Sequence, residues 1–282
     1  MIGRCLVRKL HELGAEVTVG DLKDRPKEFA STISYRKGDL NTLPVGEWEC
    51  DFFFHLAAAF ERSVESPQFW QENWKHNVLL SHHLSQAVIT PRIVFASSYL
   101  VYDPTLYFRR DSIPLSERSC VQPRNLCGAA KLYFEKELLF LFETKSLSSV
   151  AARIFRIYGE GSKDVISRWI AACRNGEQIS VYDKEGMFDY IFAEDAAEGL
   201  LRLAISEAEG GVNLGSGRGR RVSDVIKILS KHFPAMSILE EEREEQVECS
   251  VADISFLQEY TDWKPNISLE EGIGRLVGGI SV

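Results

Sequence analysis

Two stretches decide the fold: Asp51-Phe52-Phe53-Phe54-His55-Leu56-Ala57-Ala58 and Arg92-Ile93-Val94-Phe95-Ala96-Ser97-Ser98. Each is an apolar run of strand length without polar alternation, the pattern of a strand covered on both faces, as in a parallel sheet. Ser149-Val150-Ala151-Ala152-Arg153-Ile154-Phe155 is a third, and Glu16-Val17-Thr18-Val19-Gly20-Asp21 is a shorter one ending in an acid. Helical spacing fills the intervals: Ile2 to Leu13, stopped by Gly14, then Trp70 to Ala87 and Gly128 to Thr144. Strands alternating with helices predict an α/β fold with a doubly wound parallel sheet.

After Tyr158-Gly159 segments shorten and Gly, Asp and Glu rise, which places the main boundary there. The reading is a first domain over 1–157, a return to it over 190–205, and a smaller C-terminal domain over 158–282. The run Glu240-Glu241-Glu242-Arg243-Glu244-Glu245 reads as a solvated face. A net charge of -8 speaks against a nucleic-acid partner. No apolar run reaches membrane-spanning length, and no basic-then-apolar leader opens the chain. The six cysteines form no C-x-x-C pair, and no His, Cys or carboxylate cluster has metal-ligand spacing. These features predict a cytoplasmic protein with reduced thiols and no metal.

The landmarks together resemble the extended short-chain dehydrogenase/reductase family, in its NAD-dependent nucleotide-sugar epimerase/dehydratase branch. Asp21 stands where the family places the acid that binds the adenosine ribose, and Asp39-Leu40 where it contacts adenine. His55-Leu56-Ala57-Ala58 matches the H-x-A-A strand end beside the cofactor, and Asn77 an asparagine in the next helix. Ser98, in Ser97-Ser98-Tyr99-Leu100-Val101-Tyr102, takes the place of the catalytic serine or threonine. Cys127-Gly128-Ala129-Ala130-Lys131 occupies the Y-x-x-x-K position. Arg153-Ile154-Phe155-Arg156-Ile157-Tyr158-Gly159 resembles R-x-F-N-x-Y-G, Asn213-Leu214-Gly215-Ser216-Gly217 resembles N-x-G-S-G, and Trp263-Lys264-Pro265 resembles the C-terminal signature.

The resemblance implies a Rossmann-like cofactor domain, a substrate domain, bound NAD and a nucleotide-sugar substrate. The implied cofactor-binding residues are Gly3, Asp21, Asp39, Leu40, Ala57, Ala58 and Lys131; the implied catalytic group is Ser98, Cys127 and Lys131. In the family the tyrosine is the general base and the lysine, four residues on and on the same helix face, lowers its pKa. An acid at Asp21 repels a 2′-phosphate and favours NAD over NADP, while the nearby Arg25 argues the other way. Family members dimerise through the helices around Asn77 and Lys131, so a homodimer is expected.

The departures matter as much. A sheet of this type opens with a strand and a glycine-rich turn. Here the helix comes first, with Met1-Ile2-Gly3 as the tail of the turn, Gly3 allowing close helix-strand packing. The first strand and turn are expected to be missing, and NAD binding to be impaired. Cys127 replaces the tyrosine; its thiol has an ordinary pKa of about 8.5 but a short reach. Tyr133 faces another side of the helix, and Tyr99 is the better substitute base. Tyr99-Leu100 replaces the acidic pair of the dehydratases, which disfavours dehydration and favours a 4-epimerase cycle. At positions that contact the nucleotide-sugar, Arg156 replaces an asparagine and Phe188 an arginine. Tyr99, Arg156 and Arg168 are the substrate-binding candidates, with Arg218, Arg220 and Arg221 also able to meet a diphosphate. Two readings stand: an epimerase-like oxidoreductase/isomerase with impaired or altered catalysis, and a non-catalytic binding or scaffold protein of the same fold.

Overall fold

Helix α1 (Ile2–Glu12) turns Leu6 and Val7 inward, and Gly14, in the left-handed region at φ 78°, ends it. The computed structural model describes residues 1–44, 46–60, 66–111, 113–145, 147–241 and 247–279. Glu242 to Glu245 of the acidic run lie outside them. Strand β1 (Thr18–Asp21) pairs in parallel with β2 (Ser34–Lys37). Strand β3 (Phe53–His55) follows, then α2 (Pro67–Asn73), a π-helical turn over Trp74–Leu79, and α3 (Leu80–Ala87). Next come β4 (Arg92–Ser98), α4 (Leu126–Lys145), β5 (Ser148–Ile154) and β6 (Arg156–Tyr158). The remainder used below is α5 (Val165–Arg174), β7 (Met187–Phe192), α6 (Ala193–Ala204), β8 (Gly210–Leu214), β9 (Gly219–Arg221) and β10 (Cys249–Ser250).

The main sheet is parallel, in the order β8-β5-β4-β3. The continuous apolar runs explain it: Val94, Val150, Ala152 and Val212 are fully buried beneath Leu200 and Leu203 of α6. Phe95 and Ala151 meet Phe134 and Leu138 of α4 on the other face. The sheet is thus covered on both sides, the doubly wound arrangement the sequence predicts. A second sheet gathers on β7, which pairs in parallel with β6 and β10 and antiparallel with β9. Its own core holds Trp169, Tyr158, Phe192, Val225 and Ile273. The chain crosses between the two sheets more than once: β7 belongs to the second, α6 lies on β4 and β5, and β8 completes the first.

The β1-β2 pair is not hydrogen-bonded to the main sheet. Among the described residues no strand joins β1 to β3, so each presents one unpaired edge. The run Asp51–Ala58 is accordingly a strand only over Phe53–His55, bonded to β4 alone. Phe53 and Phe54 are half-buried where a continuous sheet would cover them.

Arg92, at the base of β4, is buried and hydrogen-bonds the carbonyls of Leu203 (2.9 Å), Ser206 (3.1 Å) and Ala208 (2.6 Å). It satisfies the open carbonyls at the end of α6 and ties that helix to the sheet.

Candidate active site

The C-terminal ends of the parallel strands, where such sheets bind ligands, carry the candidate residues. Strand β4 delivers two hydroxyls to opposite faces. Ser97 turns inward onto Glu135 of α4 at 2.5 Å, in a buried network with Arg153. Ser98 turns the other way, half-buried, and its Oγ accepts the backbone N–H of Leu100 at 3.2 Å, capping the short 3-10 turn Tyr99–Val101. The first turn of α4 is pressed against that 3-10 turn. A Cβ on Gly128 would lie 2.4 Å from the Leu100 carbonyl oxygen, so only glycine permits the approach that sets Cys127 and Lys131 near Ser98. Gly128→Ala is therefore expected to destabilise the fold by about 2–4 kcal/mol, since backbone rather than a side-chain tip must move. Denaturant unfolding checks it; a loss under about 0.5 kcal/mol would show that the two elements are loosely docked.

Cys127 and Lys131 share a helix face and are both buried, at 6% and 7% exposure. The Cys127 Sγ donates weakly to the Ala59 carbonyl at 4.0 Å. That carbonyl is fixed by Asn77, whose Oδ1 accepts the Ala59 N–H (2.7 Å) and whose Nδ2 donates to the Ala59 oxygen (2.9 Å). The π-helical turn holds Asn77, an irregularity frequent at functional sites. Lys131 lies over the Phe95 ring, 4.5 Å from its centroid. Its ammonium has no hydrogen-bond acceptor among the described residues. Burial lowers its pKa to about 8, against a smaller opposing pull from Cys127 and Glu135. Burial, with the Lys131 charge second, takes His55 down to about 3. His55 is thus a neutral ring bonded to Ser81 at 2.8 Å. Among the described residues no three His, Cys, Asp or Glu side chains cluster for a metal.

Tyr99 is not poised as a substitute base. It is buried, stacked on Phe155 at 5.3 Å, and its hydroxyl donates to Glu248 Oε1 at 3.0 Å. Burial pushes its pKa up to about 12, beyond useful proton exchange near neutrality. Arg156 meets the same Glu248 through Oε2 at 3.3 Å, so two of the three substrate candidates converge on one carboxylate. Arg168 is exposed on α5, and among the described residues it bonds no member of that network. Arg220 and Arg221 are spent on Glu270 and Glu185. Tyr133 is exposed. The sequence reading missed Glu248 and Arg124, which also bonds Oε2, at 3.2 Å. The one available signal for Arg124 was its place three residues before Cys127.

At the other end, Asp21 is exposed at the tip of β1, and its carboxylate accepts the Lys23 N–H at 2.9 Å. Asp39 is engaged: it bonds Lys75 (2.8 Å) and caps the turn at Asn41 (3.0 Å), which hold its pKa at about 2. Leu40 packs with Leu43, Leu80 and Leu84. Ala57 is half-buried and Ala58 open, a small-residue floor after β3. Gly3 does not make the close approach its position suggested. An added Cβ would sit 3.6 Å from Leu56 Cδ1, an ordinary contact, because no strand lies directly beneath it. Arg25 is occupied by the carbonyls of Ile33 (2.8 Å), Phe29 (3.4 Å) and Ala30.

Asp21 is thus an open acid, and Lys131 a buried cation with no hydrogen-bond acceptor among the described residues. The first N–H groups of α1 have no side-chain cap, which suits an anion.

Comparison with known proteins agrees. The profile of the NAD dependent epimerase/dehydratase family matches residues 1–215. The UDP-glucose 4-epimerase of Neisseria gonorrhoeae is 26% identical over 85% of this chain and 80% of its own. The dTDP-4-dehydro-6-deoxyglucose reductase of Escherichia coli is 25% identical over 99% of this chain and 94% of its own. The structure of MoeE5 in complex with UDP-glucose and NAD superposes with a TM-score of 0.83 at 27% identity, covering 98% of this chain and 94% of that one. With a family match over most of its length, a doubly wound parallel sheet and the site at that sheet's C-terminal edge, this chain belongs to the NAD-dependent epimerase/dehydratase family.

Proposed function

We propose that the chain is a nucleotide-sugar oxidoreductase/isomerase of the 4-epimerase type, using NAD, with catalysis altered at Cys127. The observation that carries it is Lys131, a buried ammonium with no hydrogen-bond acceptor among the described residues, four residues after Cys127 on the helix docked against the Tyr99–Val101 turn. A buried cation left unbonded is costly, so such a group is kept where a ligand supplies the acceptor. Bound NAD would accept a hydride from the ring carbon that bears the reacting hydroxyl and return it. Lys131 would hold the ribose hydroxyls, Ser98 would orient the reacting oxygen, and Asp21 would hold the adenosine ribose. Cys127 would leave the proton to a water, because its sulfur is short and turned to the Ala59 carbonyl.

Asp21 is open, whereas Arg25 is tied to three carbonyls and cannot serve a 2′-phosphate. NAD is therefore favoured over NADP. The start of α1 offers N–H groups for the pyrophosphate. Calorimetry with both cofactors checks the preference; a tighter NADP complex would refute it. Turnover is read by NMR of UDP-glucose converting to UDP-galactose.

The exposed Trp70, Trp74, Tyr133 and Phe140, on the α2–α3 segment and α4, support a homodimer through these helices. Sedimentation should give twice the chain mass and, for Trp74→Glu with Phe140→Glu, the chain mass. An unchanged dimer would move the interface elsewhere.

The split sheet favours the second reading, a binding or scaffold protein. A chain that binds nucleotide-sugar without converting it, even with saturating NAD, would decide for the scaffold.

A further inference from the structure

Two arginines beside the site are held in a way that a purely structural ion pair does not require. Glu248 is buried, its side chain 10% exposed, while Arg124 and Arg156 keep 28% and 34% of theirs open. The carboxylate is fixed from both sides of the chain. Its backbone carbonyl accepts the Met187 N–H at 2.8 Å, and the next residue, Cys249, donates its N–H to the Tyr107 carbonyl at 2.7 Å. Oε1 is filled by the hydroxyls of Tyr99 and Ser250, each at 3.0 Å. Oε2 takes one N–H from each arginine, at 3.2 and 3.3 Å.

Neither guanidinium uses its paired-donor edge on the carboxylate, as an arginine built for a salt bridge does. Each lies over aromatic rings instead: Arg156 over Phe188 at 3.8 Å, Arg124 over Phe108 at 4.7 Å and Tyr107 at 5.4 Å. Among the described residues the remaining N–H groups of both have no protein acceptor, and Arg156 Nε is buried without a partner. Burial pushes the Glu248 carboxyl up, but Arg156 and Arg124 outweigh it and keep it ionised. Two fixed cations and one anion leave a net positive charge with donors to spare.

The geometry points to Arg124 and Arg156, bridged by Glu248, as an oxyanion-binding pair that sets which nucleotide-sugar the site accepts. This rests on the proposed function for the identity of the ligand, though not for the anion site itself. The oxyanion comes from the diphosphate or from a carboxylate on the sugar. Arg156 and Phe188 stand at the two departures from the family pattern noted in the sequence, so the selectivity belongs to this chain.

The test measures binding of inorganic pyrophosphate, UDP-glucose and UDP-glucuronic acid to the full chain by calorimetry. Arg124→Ala is expected to weaken at least one of them by about 10- to 100-fold, the range of a charged hydrogen bond. Loss with all three assigns the pair to the diphosphate; loss only with UDP-glucuronic acid assigns it to the sugar carboxylate. Should the alanine variant melt early, Arg124→Lys keeps the charge, removes the fork, and is expected to weaken binding by a smaller factor. Glu248→Gln separates this role from a structural one. It retains the acceptor for Tyr99 and Ser250 and removes the competing anion, so pyrophosphate should bind several-fold tighter, more so at low salt. Affinities within twofold of the parent in both arginine variants, or weaker binding in Glu248→Gln, overturn the proposal. If pyrophosphate binding depends on Arg124 while no nucleotide-sugar binds, the anion pair stands and the epimerase reading falls.

Discussion

A Cys127→Tyr variant is expected to turn over a nucleotide-sugar about 10²–10⁴-fold faster than the parent chain, the range a positioned general base contributes. Oxidation of a ring hydroxyl requires its proton to leave in the same event. Neither candidate base is placed to take it: the Cys127 sulfur lies against the Ala59 carbonyl, and the Tyr99 hydroxyl is bound to Glu248. A phenol at position 127 would extend past Ala59 toward the open floor at Ala58, with the Lys131 ammonium on the same helix face to lower its pKa. If the ring stays packed inward instead, overpacking costs about 1–3 kcal/mol and appears as a lower melting temperature. The assay follows UDP-glucose conversion by NMR under saturating NAD, with Lys131→Ala in the tyrosine background as control. A parent already faster than the tyrosine variant, and silenced by Cys127→Ser, would make the thiol the working acid-base group.

The second large effect concerns the sheet. An added segment ahead of Met1, of five or six apolar residues and a glycine-rich turn, is expected to seat between β1 and β3. Among the described residues both strands present unpaired N–H and C=O groups there. Pairing one strand on two sides makes several hydrogen bonds at about 1 kcal/mol net each and covers Phe53 and Phe54. For a chain of this size that is a rise of about 10 °C in melting temperature, within a factor of two. The turn would also bring further N–H groups to the start of α1, so NAD affinity should rise about tenfold or more. A scrambled, polar segment of equal length is the control. Equal melting of both would mean the gap is closed by other contacts.

What the sequence could show depended on range. Arg92–Ser98 is legible to the residue because a strand buried on both faces leaves no other pattern. The equally apolar Asp51–Ala58 reads too long, since pairing depends on a neighbour that apolarity does not reveal. Trp70 to Ala87 reads as one helix. The π-helical turn within it, which holds Asn77 opposite Ala59, leaves no mark on a 3.6-residue period. Motif position nominated Asp39, but its engagement by Lys75 needed the fold. Glu248 follows an acid-rich run that reads as solvated, and only the approach of β7 and Tyr107 buries it.

The weave of the chain between its sheets has a mechanical consequence. Strand β8 joins the main sheet only after β7 has built the second, and β9 and β10 then go back. A fragment ending near residue 157 would lack β8 and α6, leaving β5 with a bare edge and Val150 and Ala152 open to water. A single protease cut in the stretch between α5 and β7 would leave each severed half still stitched into both sheets. The two lobes cannot be shelled apart or exchanged as modules; any grafting of substrate preference must proceed side chain by side chain.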